Sequence, residues 1–311
     1  TKMIVVPDDF PPVFEGSEAH GRARALGEVR VHTARGAEDE AELARRIGDA
    51  PVAVNIRAYA RFTEAVLRAC PALKMISIWG TGTDNVDLAA AARRGITVCS
   101  TPGVNAYAVS EHAIALMLAL ARRIPGIDRE TRAGGWPRDM LSQLYGKTIA
   151  VFGSGAIGAR VAQLARGFGM EVLTWSARGD TQAAKDDCLR RADFVTLHLR
   201  LVPETRGFIG IREFALMKTA AFLINTGRGP LVDRDALLEA LAARRIAGAG
   251  LDVFHDEPLK PGDPLLGLEN TVLSPHNAGQ TPEVRRDGLL LAVENVERFL
   301  SGSPINVVRL N

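Results

Sequence analysis

The stretch Ile149-Ala150-Val151-Phe152-Gly153-Ser154-Gly155-Ala156-Ile157-Gly158 places a short apolar run directly before three glycines spaced as G-x-G-x-x-G. The apolar run predicts a buried strand, and Ala159–Phe168 predicts the helix that follows. In a strand–turn–helix unit these glycines permit, in order, a tight turn, close approach to a pyrophosphate and close packing of helix on strand. The free N–H groups of the helix N-terminus favour a negative charge there. The stretch predicts a dinucleotide site formed by Gly153, Gly155, Ala156, Ile157 and Gly158, with a turn that binds no ligand as the alternative.

Short apolar runs alternate with amphipathic helical segments on both sides of this turn, a pattern typical of βα units that form parallel sheets. A first series predicts strands at Met3–Val6, Val29–His32, Val52–Asn55, Met75–Trp79 and Ile96–Val98. It predicts helices at Asp39–Ile47, Thr63–Ala69 and Leu88–Arg94. After a long helix at Tyr107–Arg122, a second series predicts strands at Thr148–Phe152, Glu171–Trp175, Phe194–Leu197, Ala220–Ile224, Gly248–Leu251 and Thr271–Leu273. Glu283–Leu300 predicts a final amphipathic helix.

Composition narrows the class of protein. The net charge is only +2, from 38 basic and 36 acidic residues that are interspersed, which argues against a nucleic-acid surface. The three cysteines show neither metal-ligand spacing nor a disulfide framework, which favours a reducing cytoplasm and buried thiols. The first residues show no signal-peptide pattern, and the longest apolar stretch, Ala113–Ala121, is far shorter than the ~20 residues of a membrane span. We expect a soluble cytoplasmic protein without a membrane or nucleic-acid partner.

The end of the strand after the glycine turn bears on which dinucleotide binds. An acidic residue about 20 positions past the turn usually holds the adenosine ribose hydroxyls. Here Ser176 stands at that place and Arg178 follows it. Without a carboxylate a 2′-phosphate meets no repulsion, and Arg178 can pair with it. The sequence favours NADP over NAD, with neutral binding of the ribose by Ser176 as the alternative.

Three further segments follow strands of the second series, at the sheet edge where open α/β sheets bind ligands. They are Ile224–Pro230, Gly250–Pro258 and Leu273–Gly279. Through these segments the chain resembles the D-isomer-specific 2-hydroxyacid dehydrogenase family, which includes glyoxylate/hydroxypyruvate reductases and phosphoglycerate dehydrogenases. The resemblance covers nearly the whole chain and extends to the glycine turn, Gly80–Asp87, Pro102–Asn105, the helix after Ser110-Glu111-His112, and Pro203–Arg206.

The resemblance implies hydride exchange between NAD(P)H and a small 2-oxo or D-2-hydroxy acid. His276 is then the acid/base, since histidine titrates close to working pH. Glu257 would hydrogen-bond the imidazole, fix its orientation and favour its acid form. Arg228 would grip the carboxylate and carbonyl oxygens of the substrate with its planar guanidinium.

The resemblance also implies less specific roles for other positions. Asp252 would hold the nicotinamide carboxamide, with Thr226 and Gly227 lining the cofactor and Asn105 beside it near a domain hinge. The loops of Ile56–Arg57 and Thr81–Gly82 would close over the substrate carboxylate with backbone N–H groups. Arg57 is either a second cation or a solvated arginine, and Arg200 is a candidate second phosphate contact. No H-E-x-x-H pattern accompanies His112, so we predict no metal site.

These inferences together predict two α/β domains, with the chain crossing between them twice. Residues 101–282 would form a Rossmann-type doubly wound parallel-sheet domain that binds the dinucleotide. Residues 1–100 and 283–311 would form a smaller flavodoxin-like α/β domain for the substrate. By resemblance we expect a homodimer. Two alternative functions stay open: a phosphite-type dehydrogenase that uses the same Arg–Glu–His set, and a non-catalytic, dinucleotide-sensing corepressor-like protein.

Overall fold

The computed structural model describes residues 3–309, which divide into two compact α/β units. Residues up to Asn105 and from Gln280 onward form the first, called here the N-terminal unit. Ala106–Gly279 form the second, called here the glycine-turn unit. The divisions fall five residues after the first sequence-based boundary and three residues before the second.

In the N-terminal unit a five-stranded parallel sheet has the order β2-β1-β3-β4-β5 in the described residues. This is the flavodoxin-like order, so the prediction of the fold class is confirmed. Apolar side chains cover both faces of the sheet, which explains why its central strands read as continuous apolar runs. The strands are β1 (Met3–Val6), β2 (Glu28–Val31), β3 (Val52–Asn55), β4 (Met75–Ile78) and β5 (Thr97–Cys99).

The helices of this unit begin at side chains that cap their free N–H groups. The capping residues are Ser17, Asp39, Thr63, Asp87 and Thr281. The helices are α1 (Glu18–Leu26), α2 (Glu40–Ile47), α3 (Glu64–Ala69), α4 (Leu88–Arg93) and, at the other end of the chain, α11 (Pro282–Leu300). Sequence reasoning missed α1, a helix that buries only the small side chains of Ala19 and Ala23.

The glycine-turn unit contains a six-stranded parallel sheet in the order β11-β10-β9-β8-β6-β7 among the described residues. From β6 the chain runs outward to β7 and then returns to β8 on the opposite side of β6. The carboxyl ends of β6 and β8 therefore mark the point where the winding reverses, which is where doubly wound sheets bind ligands. The strands are β6 (Thr148–Phe152), β7 (Glu171–Trp175), β8 (Phe194–Leu197), β9 (Phe222–Asn225), β10 (Gly248–Leu251) and β11 (Thr271–Leu273).

Helices cover both faces of this sheet, and apolar clusters lie on each side of it. They are α5 (Ala106–Ala121), α6 (Ile124–Arg132), α7 (Ala156–Gly167), α8 (Gln182–Arg191), α9 (Ile211–Leu216) and α10 (Arg234–Ala242). β9 begins two residues later than expected, because the N–H of Ala221 donates to the carbonyl of Lys218 in a turn. The three cysteines are unpaired and buried, as interpreted from the sequence. Within residues 3–309 every helix is too short or too polar to cross a membrane.

Candidate active site

The glycine turn joins β6 to α7, as the sequence predicts. Gly153 has a φ of 108°, and a Cβ there would lie 2.4 Å from the carbonyl oxygen of His198, so a side chain cannot be accommodated. At Gly158 a Cβ would lie 1.9 Å from the carbonyl oxygen of Gly153, so this glycine sets the close approach of helix to strand. At Gly155, the N-cap of α7, no side chain caps the helix, and a Cβ would meet no described atom within 4 Å. The N–H groups of the first turn of α7 are thus available to an anion.

The loop after β7 contains a carboxylate that sequence reasoning overlooked. The backbone N–H of Ser176 donates to Oδ2 of Asp180 at 2.6 Å. Ser176 is half-buried, whereas Arg178 and Asp180 are exposed. Arg200 is also exposed and follows β8. The edge expected to hold the adenosine ribose therefore carries both a cation and an anion; the signal for the anion was an aspartate four residues past Ser176.

The loop after β9 is held by the buried amide of Asn225. Its Oδ1 accepts the N–H of Gly227 at 3.0 Å, and its Nδ2 donates to the carbonyl of Arg228 at 2.9 Å. Thr226 is buried, and its Oγ1 has no hydrogen-bond partner among the described residues. A buried hydroxyl without a partner costs free energy, so it points to a ligand that completes its hydrogen bonding. Together with the uncapped N-terminus of α7, this side chain fits a dinucleotide.

The imidazole of His276 contacts the carboxylate of Glu257 directly. Their Nδ1 and Oε2 atoms lie 2.6 Å apart, and the N–H of Phe254 donates to the other oxygen of Glu257 at 2.9 Å. Burial alone would raise the pKa of Glu257, but these two hydrogen bonds and the nearby Arg228 charge hold it below its ordinary value. The carboxylate is ionised at neutral pH and directs Nδ1–H toward itself, which leaves Nε2 for a reacting group.

Asp252 holds the turn that bears His276. It is 1% exposed, and its carboxylate accepts the N–H groups of Asn277 and Ala278, both at 3.0 Å. It also accepts the hydroxyl of Ser274 at 2.6 Å, and Nε2 of His112 lies 2.8 Å from that hydroxyl. Sequence reasoning missed Ser274 and His112 because they reach Asp252 from remote parts of the chain. The observed contacts make Asp252 a support for the His276 turn; its contact with nicotinamide stays a prediction.

The substrate-binding candidates Ile56, Arg57, Thr81 and Gly82 lie in loops that follow β3 and β4 of the N-terminal unit. The N–H groups of Ile56 and Arg57 donate to the carboxylate of Asp8 at 3.0 and 2.8 Å. The expectation that these two N–H groups face a substrate is therefore wrong, because an internal carboxylate occupies them. In the same unit, Oδ1 of Asn105 is buried without a hydrogen-bond partner in the described part of the chain.

The glycine turn, the unpartnered Thr226 hydroxyl and the His276–Glu257 pair define a site of the nicotinamide-dependent dehydrogenase class. Comparison with known proteins agrees: residues 114–278 match the family described as "D-isomer specific 2-hydroxyacid dehydrogenase, NAD binding domain". The chain is 41% identical over 259 residues to a glyoxylate reductase of Korarchaeum cryptofilum, covering 78% of each sequence. It is 32% identical over 300 residues to a hydroxypyruvate reductase of Blautia hydrogenotrophica, covering 91% of this chain and 92% of that one.

Solved structures give the same result. An NADPH-dependent glyoxylate/hydroxypyruvate reductase from Sinorhizobium meliloti, in complex with citrate, superposes with a TM-score of 0.86 at 28% identity. The match covers 99% of this chain and 98% of the other. The chain therefore belongs to the D-isomer specific 2-hydroxyacid dehydrogenase family, which confirms the resemblance. It is an NAD(P)-dependent D-2-hydroxyacid dehydrogenase, and its cofactor is a nicotinamide dinucleotide.

Proposed function

We propose that this enzyme reduces a small 2-oxo acid to the D-2-hydroxy acid, with His276 as the acid, Glu257 tuning it and Arg228 binding the substrate. The observation that carries the proposal is the 2.6 Å contact between the His276 imidazole and the Glu257 carboxylate, in the same unit as the glycine turn. A bound NAD(P)H supplies the hydride that the carbonyl carbon accepts.

The residues of the chain supply the proton and the binding of the substrate. With Nδ1–H committed to Glu257, protonated His276 donates from Nε2 to the carbonyl oxygen as the alkoxide develops. Glu257 stabilises the imidazolium before transfer and orients the ring throughout. The guanidinium of Arg228 forms charge-assisted hydrogen bonds with the carboxylate of the 2-oxo acid, which places its carbonyl beside the imidazole.

A substrate panel tests this function. Glyoxylate, hydroxypyruvate and pyruvate are assayed with NADPH and NADH, and we expect turnover of at least one 2-oxo acid. The relatives named glyoxylate reductase and hydroxypyruvate reductase support this choice of substrates. Lack of turnover with all three, combined with NAD(P)H binding, would instead favour phosphite oxidation or dinucleotide sensing; phosphite with NAD(P) then separates these two.

We further propose that NADPH is preferred over NADH. The NADPH-dependent Sinorhizobium relative supports the proposal, as does Arg178 at the end of β7. The carboxylate of Asp180 opposes it, because a negative charge close to Ser176 repels a 2′-phosphate. Arg200 is a candidate second contact for that phosphate.

Replacement of Arg178 tests the cofactor preference. We expect Arg178→Ala to lower kcat/KM for NADPH by about tenfold, the effect of one solvent-exposed charge-assisted contact, and to leave NADH within twofold. Asp180→Asn should shift the preference further toward NADPH. Arg190→Ala removes another exposed arginine of the same unit and serves as the control. A parallel loss with both nucleotides in Arg178→Ala would count against a 2′-phosphate contact.

We also propose that the glycine-turn unit binds the dinucleotide, that the N-terminal unit contributes loops to substrate binding, and that the enzyme is a homodimer. The homodimer is supported by large apolar side chains that are exposed on the glycine-turn unit, namely Ile124, Trp136, Met140 and Tyr145. The mass of the protein in solution tests the homodimer, and a monomer at micromolar concentration would contradict it.

A cytoplasmic location is proposed from the three unpaired cysteines.

A further inference from the structure

Asp8 is a buried carboxylate at the end of β1 that no step of the proposed reaction uses. It is fully buried, and it accepts the N–H of Ile56 on Oδ1 at 3.0 Å and the N–H of Arg57 on Oδ2 at 2.8 Å. The Nδ2 amide of Asn55, the last residue of β3, donates to the same Oδ2. One side chain, two residues past the end of β1, thus fixes the backbone where the loop after β3 begins.

Two asparagine side chains extend this network to the next loop. Oδ1 of Asn55 accepts Nδ2 of Asn85 at 2.9 Å, and Nδ2 of Asn85 also donates to the carbonyl of Ala60 at 2.8 Å. The backbone carbonyl of Asn85 accepts the N–H of Phe62 at 2.8 Å. Asn85 belongs to the segment that follows β4 and contains Thr81 and Gly82, so a continuous chain of hydrogen bonds joins both loops to Asp8.

Burying a carboxylate at position 8 costs folding free energy, so stability alone does not explain its presence there. Burial raises the pKa of Asp8 to about 7, against the lowering effects of the Ile56 and Arg57 backbone N–H groups, the Asn55 amide and the Arg57 charge. An apolar side chain would fill the same space without a desolvation cost. The carboxylate does what an apolar residue cannot: it accepts hydrogen bonds from two successive backbone N–H groups and so sets the conformation of the loop.

The loop held in this way carries Arg57, one nitrogen of which has no hydrogen-bond partner in residues 3–309. Nε of Arg57 is buried and lacks a hydrogen-bond partner among the described residues. Another nitrogen of the same guanidinium donates to the carbonyl of Pro11, and the group lies 6.0 Å from the centre of the Trp79 ring. The side chain is thus held on two sides while one N–H remains for an anionic group.

We propose that Asp8 is a positioning residue for substrate binding, which holds the Ile56–Arg57 loop and, through Asn55 and Asn85, the Thr81–Gly82 loop in the arrangement that binds a carboxylate. The inference rests on the proposed function and refines it. Since Asp8 occupies the N–H groups of Ile56 and Arg57, the groups of these two loops that are left to meet the substrate are the Arg57 guanidinium and the N–H groups of the Thr81–Gly82 segment.

The test compares Asp8→Asn with Asp9→Asn in the full-length enzyme. Asp9 is the matched control, because it is equally buried but its carboxylate accepts the N–H groups of Val13, Phe14 and Glu15 and none from the loops after β3 and β4. We expect Asp8→Asn to raise KM for the 2-oxo acid at least tenfold, with kcat within threefold and the Kd of NADPH within twofold. Asp9→Asn should leave KM within twofold.

Two further measurements test the proposal if Asp8→Asn fails to fold. They also distinguish a failure of the role proposed for Asp8 from a failure of the proposed function. Asn85→Ala removes the link to the second loop at a half-buried position and should raise KM about threefold or more. Deuterium exchange of the peptide that spans residues 55–60 should be faster in Asp8→Asn than in Asp9→Asn. If the wild type reduces 2-oxo acids and Asp8→Asn has the same KM as the wild type, the proposed role of Asp8 is overturned. An equal rise of KM in Asp9→Asn overturns it as well. A wild type that turns over no 2-oxo acid refutes the proposed function instead, whatever the exchange data show for the loop.

Discussion

His276→Gln is expected to lower kcat for 2-oxo acid reduction about a thousandfold, which corresponds to roughly 4 kcal/mol of transition-state stabilisation. Glutamine can still donate a hydrogen bond to the carbonyl oxygen, but it cannot transfer a proton to the developing alkoxide. Because the residue acts on the reacting atoms, KM and the Kd of NADPH should change much less than kcat. Steady-state kinetics and nucleotide fluorescence titration measure these quantities.

A companion variant makes this result specific. His255→Gln applies the same chemical change to an exposed histidine two positions before Glu257 and should remain close to wild type. Near-normal turnover by His276→Gln, or an equal loss in His255→Gln, would remove His276 from the acid/base role.

Glu257→Gln should change the pH dependence of the reaction. The pKa of Glu257 is raised by burial but lowered more by the hydrogen bonds from His276 and Phe254, so the group is a carboxylate at neutral pH. Its negative charge favours the imidazolium, and the neutral amide does not. The alkaline limb of kcat for reduction should therefore move to lower pH in the variant. A profile that keeps its alkaline limb in place would show that Glu257 orients the imidazole without tuning it.

Gly158→Ala is expected to be the second most damaging change. The new Cβ would lie 1.9 Å from the carbonyl oxygen of Gly153 and 3.4 Å from Cγ1 of Val151, so α7 must move away from β6. Overpacking of this kind costs about 1–3 kcal/mol of unfolding free energy, and the displaced turn should weaken NADPH binding more than tenfold. Thermal unfolding and fluorescence titration measure the two effects.

Gly167→Ala supplies the control in the same helix. A Cβ at Gly167 would meet no described atom within 4 Å, and alanine is the better helix former. This variant should keep its nucleotide affinity and match or exceed the wild-type melting temperature. If Gly158→Ala behaved like Gly167→Ala, the close contact of helix and strand would not be what forms the site.

Elements that bury apolar side chains on both faces could be predicted from the sequence. β6 and β8 begin and end at the predicted residues, because each contains an uninterrupted run of four buried residues, which leaves little choice of boundary. α6 was missed because its first turn contains Pro125 and Gly126, residues typical of loops, and because none of its residues is buried. The start of β9 was predicted two residues too early, because residues 218–221 form a turn. This turn is closed by a backbone hydrogen bond, which no side-chain pattern in the sequence indicates.

Some residues of the candidate site could likewise be predicted from the sequence, and others could not. The family resemblance pointed to His276 and Glu257 and to a hydrogen bond between them, and the structure shows that their side chains meet. The carboxylate of Asp8 was missed because its partner Ile56 is 48 residues away, and His112 because Ser274 is 162 residues away. Hydrogen bonds between such distant residues leave no local pattern. Asp180, by contrast, lies only four residues past Ser176, so its carboxylate could have been predicted from the sequence as an anion near the ribose.

The turn that bears His276 suggests how this enzyme can be altered. His276 has a φ of 51°, and the carboxylates of Asp252 and Glu257 that hold the turn and the ring both come from the segment after β10. Under the proposed function, the acid/base residue and the two carboxylates that hold it thus all lie within residues 252–276. Under the proposed function, substrate choice is encoded elsewhere, in the loops after β3 and β4. Libraries that randomise those loops should therefore yield catalysts with new acid specificity and an intact proton donor, a modularity that suits directed evolution.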